Sequence, residues 1–229
     1  MAATKPKIAI LGGTGDLGSG LALRWARAGH AVVIGSRKQE SAVAAATAFN
    51  AEAKVANITG MENAAAAAAA EIVVLTVPYA NHRAMLEAVK PAVQGKIFVD
   101  VTVPLQPKKV RTVSLPPEGS VAKAAQAFLG EGVRVVSAFQ NVAAERLRRL
   151  DEAVDCDVLV CGNDPQAREA VMALVEAAGL RGWHAGRIDN SAVAEALTSV
   201  LIFINGRYGI EGAGLRITGT PGAAGKPAD

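Results

Sequence analysis

Three groups of residues carry the chemistry of this 229-residue chain. The first is Gly13-Thr14-Gly15-Asp16-Leu17-Gly18, a G-x-G-x-x-G spacing set directly after the apolar KIAIL and directly before LALRWARA. Such glycines permit a tight strand-to-helix turn, let backbone approach a pyrophosphate, and let helix and strand pack closely. The pyrophosphate then rests on the open N–H groups of the helix N-terminus. The second run, Ser36-Arg37-Lys38, closes the next apolar strand, VVIGS. An NAD site places an Asp or Glu there, about 20 residues past the glycines, to hold the ribose 2′-OH. This chain has a hydroxyl, a guanidinium and an ammonium instead. Hydroxyl donors and a guanidinium fork suit a 2′-phosphate, and Thr14 in the glycine turn adds another hydroxyl. The two runs together imply NADP in preference to NAD. Lys38 also reads as a solvated charge opening a surface helix.

The third group lies at later strand ends. Thr76-Val77-Pro78-Tyr79, Val101-Thr102-Val103-Pro104 and Ser137-Ala138-Phe139-Gln140-Asn141 each follow an apolar run. Their convergence on one crevice makes Thr76, Val77, Pro78, Tyr79, Val103, Ala138 and Gln140 candidate cofactor contacts, because open α/β sheets bind ligands outside the carboxyl ends of their strands. Each has a plainer reading. Pro78 opens a helix, Tyr79 and Phe139 are ordinary core or rim aromatics, and Gln140 and Asn141 cap the next helix.

No catalytic side chain and no metal ligand is assigned. His30 reads as structural, His82 as solvent-facing in preference to edging the site, and His184 as partnerless. Asp100, Asp151, Asp155 and Asp157 read as surface or capping residues. A dehydrogenase acting on an alcohol, acid or imine needs a proton donor beside the hydride site. Hydride transfer between two cofactors needs far less, since both rings carry the chemistry and the protein holds them face to face.

The elements that position these runs follow from the apolar pattern. Strands are expected near 7–12, 31–36, 53–56, 72–77, 96–101 and 133–137, and helices near 16–28, 38–49, 61–70, 81–90 and 120–129. Thr59 and Glu62 have the spacing of a capping box for the third helix, ahead of an alanine run that favours helix. Near-continuous apolar strands such as IVVLTV mark a parallel sheet covered on both faces. The fold class is therefore α/β, a Rossmann doubly wound parallel sheet. After about residue 140 a strand at 157–161, a helix at 165–178, a strand at 180–186 and an apolar helix at 190–205 suggest a small C-terminal α/β lobe. The expected domains are a 1–140 NADP-binding domain, a 141–218 lobe and a flexible 219–229 tail.

Composition sets the outer bounds. The chain is 51% hydrophobic, alanine-rich and poor in aromatics, with a net charge of +3. That charge suits anionic cofactors without implying nucleic acid, and no basic run with interleaved aromatics appears. The N-terminal MAATKPK lacks the apolar core of a signal peptide, and IVVLTV is too short to span a membrane. The two cysteines, Cys156 and Cys161, lie at an odd separation that puts them on opposite faces of a strand. They read as buried structural thiols of a reducing, cytoplasmic compartment.

The chain resembles the NADPH-dependent reductases of the deazaflavin coenzyme F420. GGTGDLGSGLALRWARAGHAVVIGSR is similar to that family's opening. NITGMENAAAAAAAEIVVLTVPY, VVSAF, LDEAVDCDVLVCGND and DNSAVAEALTSVLIFIN resemble its later blocks in order. The resemblance implies direct hydride transfer between NADPH and the deazaflavin C5, a C-terminal lobe closing over the crevice, and a homodimer. It sets Thr14, Ser36 and Arg37 on the 2′-phosphate, the glycine turn on the pyrophosphate, and Thr76, Val77 and Pro78 between the two rings. Two positions depart from the pattern. Gln140-Asn141-Val142-Ala143 stands where a His and a Pro often occur, and Tyr79 where a Trp can occur. Both fall on the deazaflavin side. The alternatives are an NADP-dependent reductase of a flavin, pterin, imine or carbonyl, with His82, Tyr79 or Lys123 as proton donor, and a non-catalytic NADP(H)-binding module.

Overall fold

The computed structural model describes residues 5–219. The expected tail, 219–229, lies outside the described residues except for its first position. Eight strands form one sheet: β1 (Ile8–Leu11), β2 (Val32–Ser36), β3 (Ile58–Glu62), β4 (Ile72–Leu75), β5 (Ile97–Asp100), β6 (Arg134–Ser137), β7 (Asp157–Gly162) and β8 (Arg181–His184). Their spatial order is β3-β2-β1-β4-β5-β6-β7-β8. The first six run parallel in the 3-2-1-4-5-6 order of a dinucleotide-binding sheet. β7 joins β6 antiparallel, and β8 joins β7 parallel. The segment after residue 140 thus extends the sheet itself.

Alternate side chains on each strand enter two cores. Ile8 and Ile10 of β1 pack on one face, while Ala9 and Leu11 pack on the other, as the two-residue strand period requires. On the first face lie α1 (Asp16–Arg27), α2 (Gln39–Ala53), α6 (Ala144–Arg148) and α7 (Pro165–Ala177); on the second lie α3 (Asn63–Ala68), α4 (Tyr79–Val89) and α5 (Val121–Leu129). Burial on both faces explains why the strands read as unbroken apolar runs. The last helix, α8 (Ser191–Tyr208), follows β8.

One part of the expected pattern is displaced. α2 does not stop near residue 49 but continues to Ala53, where Lys54 turns left-handed with φ 56°. The third strand therefore starts at Ile58 instead of residue 53. Thr59 and Glu62, expected to form a capping box, pair in the sheet with Val33 and Ser36. Glu62 precedes α3 without any side-chain cap bond. The alanine-rich stretch has no helix breaker before Lys54, so propensity carries α2 past the expected end.

Arg24 of α1 ties the chain after β6 to the sheet. Its buried guanidinium donates to the carbonyls of Leu147 (2.7 Å), Arg149 (2.9 Å), Ala178 (3.1 Å), Arg146 (3.2 Å) and Glu152 (3.2 Å). The neighbouring Trp25 Nε1 donates to Leu174 O of α7 at 2.7 Å. Two adjacent α1 residues thus anchor α6 and α7 through their backbones. Burial, helped by the charge of Arg27, pulls the Arg24 guanidinium below its ordinary pKa, and the five acceptors offset that desolvation.

Candidate active site

Register places the candidate residues at one edge. Gly35, Leu11, Leu75, Asp100 and Ser137 are partners in a single row across β2, β1, β4, β5 and β6. Immediately past that row the chain leaves the sheet as Ser36–Lys38, the glycine turn, Thr76–Tyr79, Val101–Pro104 and Ala138–Asn141. Every candidate contact therefore lies at the carboxyl edge, on both sides of the β1/β4 switch point.

The glycine turn is built by close approach. Gly12, just ahead of the motif, takes φ +73°, a left-handed turn that suits glycine. A Cβ on Gly18 would lie 2.7 Å from Thr76 Oγ1 and 2.8 Å from Gly13 Cα, so α1 packs directly on the β4 end. Thr76 completes the joint by donating from N and from Oγ1 to Leu11 O, both at 2.9 Å. Gly15 differs: a Cβ there would meet only Gly12 O, at 3.5 Å. It precedes Asp16 at the start of α1 with φ −78° and ψ 172°. Thr14, Gly15 and Asp16 are exposed, and Leu17 is half-buried. Among the described residues nothing else beyond its chain neighbours lies within 4 Å of a Cβ at Gly15, which fits a pyrophosphate set against the helix N-terminus.

At the end of β2, Ser36 is half-buried and Arg37 and Lys38 are exposed. Neither cation pairs with a carboxylate among the described residues. Lys38 precedes α2 without a side-chain cap bond. This arrangement fits the 2′-phosphate.

Across the switch point Val77 and Tyr79 are half-buried and Pro78 is exposed, and Val103 is half-buried beyond β5. Phe139 follows β6 with φ 71°, an uncommon backbone for a bulky residue. The turn sends its ring into the core, edge-on to Trp25 at 5.8 Å, and Ala138 is wholly buried beside it. Gln140 is buried too. Its Nε2 donates to Asp100 O (2.8 Å) and Ser137 Oγ (2.9 Å). Its Oε1, like Thr102 Oγ1, is buried without a partner. These two unpartnered oxygens lie just past the ends of β5 and β6, behind the crevice-facing loops.

Four assignments are corrected. His82 is not solvent-facing: it is buried in the first turn of α4, and its ring meets Asp100 Oδ2 through Nε2 at 2.7 Å. Asp100 is no surface residue either, being fully buried with Oδ1 accepting from Thr102 N at 3.0 Å. Asp157 is likewise buried, accepting from Trp183 Nε1 and Ile217 N. His184 does have a partner, Glu169, at 3.1 Å. Both cysteines are free and buried, and burial pushes their thiols up, Cys161 to about 11.

The sequence reading missed Glu195 on α8. It is buried, and its carboxylate accepts from Val121 N (2.7 Å) and Ala122 N (3.1 Å) at the start of α5. Its signal was available: Glu195 is the single charge in the otherwise uncharged run SAVAEALTSVLIFIN. A charge so placed needs a buried partner.

Fold and site define an NADP-type dinucleotide-binding reductase. The family model described as NADP oxidoreductase coenzyme F420-dependent matches residues 7–104. An F420-dependent NADP reductase of Methanocaldococcus jannaschii is 44% identical over 93% of this chain and 98% of its own length. One from Methanothermobacter marburgensis is 42% identical over 94% and 99%. A crystal structure from Arthrobacter sp. FB24, provisionally assigned as an F420-dependent NADP reductase, superimposes with a TM-score of 0.80 at 28% identity, covering 93% of this chain and 99% of that one. The chain belongs to the F420-dependent NADP reductase family and is an oxidoreductase of that family.

Proposed function

We propose that this protein transfers a hydride directly between NADP(H) and coenzyme F420. The observation that carries the reading is the row of register partners that gathers the glycine turn, the carboxylate-free Ser36–Lys38 end and the Thr76–Tyr79 loop on one edge. In this reading Gly13, Thr14, Gly15, Asp16, Leu17 and Gly18 form the turn on the pyrophosphate, with Ser36, Arg37 and Lys38 on the 2′-phosphate. Thr76, Val77 and Pro78 lie between the rings, Tyr79, Val103 and Gln140 border the deazaflavin, and Ala138, wholly buried, backs that wall. The bound nicotinamide and deazaflavin supply the redox chemistry. The protein aligns them and excludes water. Among the candidate proton donors, His82 is held by Asp100 and Lys123 Nζ by Asp189.

Residues 1–140 serve as the NADP-binding part and 141–218 as the C-terminal part that bounds the crevice. The active form is a homodimer. Its support is the apolar stripe on α8, where Val193, Val200 and Phe203 are 60%, 42% and 52% exposed, too large a display for an unpartnered helix. No helix among the described residues is long and apolar enough to cross a membrane. We place the protein in the cytoplasm, where two free buried thiols are stable.

The test is an anaerobic assay with NADPH and oxidised coenzyme F420, read as loss of the deazaflavin absorbance, with NADH in parallel. Bleaching with NADPH and little with NADH is expected. NADPH binding without bleaching refutes the deazaflavin as substrate and directs the search to flavins, pterins and carbonyl compounds.

A further inference from the structure

Helices α5 and α8 meet the sheet edge through side chains that the hydride transfer itself does not use. Glu195 accepts two N–H groups from the first turn of α5. Ser191, one turn earlier on α8, donates to Ile188 O and accepts from the Ser120 hydroxyl at 2.6 Å, and Ser120 caps α5. Lys123 and Asp189 close the exposed rim with a 2.6 Å ion pair. One turn beyond Glu195, Thr198 Oγ1 donates to Gln140 O at 2.8 Å. Gln140 in turn donates to Asp100 O, so the loop after β6 hangs between α8 and the end of β5. Residues three apart share a helix face. Any shift of α8 at Glu195 therefore moves Thr198 and the loop it holds.

We infer that Glu195 is a positioning residue for the second substrate, a latch that fastens α8 to α5 and through Thr198 sets the Gln140 loop. This rests on the reading of Gln140 as a deazaflavin neighbour. The charged groups that act on the carboxyl are Asp100 from β5 and His82 from α4; Cys161 of β7, which also feels Arg168 of α7, lies within its reach, and the Lys123–Asp189 pair joins the same two segments at the exposed rim. Burial pushes the Glu195 carboxyl up to about 7, against the pull of its two N–H bonds; Asp100 adds to the rise and His82 opposes it. A carboxyl that is raised when buried, and ordinary when released to water, takes up a proton on closing. The latch therefore holds below neutrality and loosens as pH rises through about 7.

The test uses full-length protein with Glu195→Ala and Glu195→Gln. Glu195→Ala opens the latch: it raises KM for coenzyme F420 at least about fivefold, the low end of usual coupling between linked sites, and leaves KM for NADPH within about twofold. In the wild type, KM for coenzyme F420 climbs with pH relative to Glu195→Gln, which cannot ionise. Equal rises in both KM values, no rise, or parallel pH profiles overturn the latch. Because a variant can fail to fold, the ligand-free wild type gives a second readout. The backbone amide signals of Val121 and Ala122 titrate with a midpoint near 7; amides that stay flat through neutrality overturn the inference. A wild type that never bleaches coenzyme F420 refutes the functional reading instead, and the amide titration then decides by itself whether the bond from Glu195 to α5 is proton-linked.

Discussion

Gly15→Ala separates what the fold needs from what the cofactor needs. The backbone at Gly15, φ −78° and ψ 172°, is open to any L-residue. The new methyl group meets only Gly12 O at 3.5 Å, an ordinary contact. Replacing glycine at a compatible position stabilises by about 0.4–1 kcal/mol through the unfolded chain. For a chain of this size that is a Tm gain of about 1–4 °C. Yet the methyl projects over the start of α1, where the pyrophosphate must approach the open N–H groups. Displacing it by a fraction of an ångström weakens charge-assisted hydrogen bonds of about 1.5–3 kcal/mol, so Kd for NADPH rises about tenfold or more. Gly18→Ala is the contrast. Its methyl collides with Thr76 Oγ1 and Gly13 Cα, and such overpacking costs about 1–3 kcal/mol. Thermal unfolding and NADPH titration calorimetry on both variants read the two effects separately. A Gly15→Ala protein that keeps wild-type NADPH affinity would show that no pyrophosphate lies over Gly15, and the placement of the cofactor would fall with it.

Four further outcomes are expected. Arg37→Ala removes the unpaired guanidinium at the β2 end, raising KM for NADPH about 10- to 100-fold while that for NADH changes little; unchanged selectivity in steady-state kinetics would remove Arg37 from the 2′-phosphate. Arg24→Met removes a guanidinium that donates to five carbonyls, two of them in buried bonds, costing on the order of 3 kcal/mol; calorimetry should show Tm lower by about 6–12 °C. Phe203→Glu puts a charge in the exposed α8 stripe, and light scattering should find monomers where the wild type gives dimers. Glu195 contributes stability that is fully present below its unfolded pKa near 4.5 and is lost as pH rises through about 7. Urea unfolding should therefore show the wild type losing stability relative to Glu195→Gln across that window, on the order of 3 kcal/mol.

The strand, turn and helix that carry the candidate nucleotide half were legible because they are local. Glycine spacing, an apolar strand before it and a helix after it occupy consecutive residues, and Ser36–Lys38 is marked as a candidate phosphate contact by its hydroxyl and charges. The parallel sheet was legible for a similar reason, since β1, β2, β4 and β5 are buried on both faces and carry unbroken apolar runs. The third strand slipped because an alanine-rich segment offers no stop signal: Ala51 suits a helix as well as the loop expected there, Ala53 continues the helix where the strand was expected to begin, and only Lys54 in its left-handed turn ends α2. A T-x-x-E spacing then fell by chance inside β3.

The acceptor half was obscure because its parts are far apart in sequence. Asp100 ends β5 as IFVD, and a carboxylate after three buried residues looks like the strand reaching solvent. It stays buried because His82, 18 residues earlier, and Thr102 N occupy its two oxygens. Glu195 meets α5 from more than 70 residues away, and Gln140 finds Asp100 O across 40. Neither pairing leaves a periodic trace. What sequence does offer in such places is a mismatch, a lone charge in an apolar helix or at the end of a core strand. Burial of a charge is so costly without a partner that each mismatch demands one. The partners of Glu195, Asp100 and Gln140 all lie at the same sheet edge, so the polar residues that looked least interpretable one by one are those that join the C-terminal helix to the crevice.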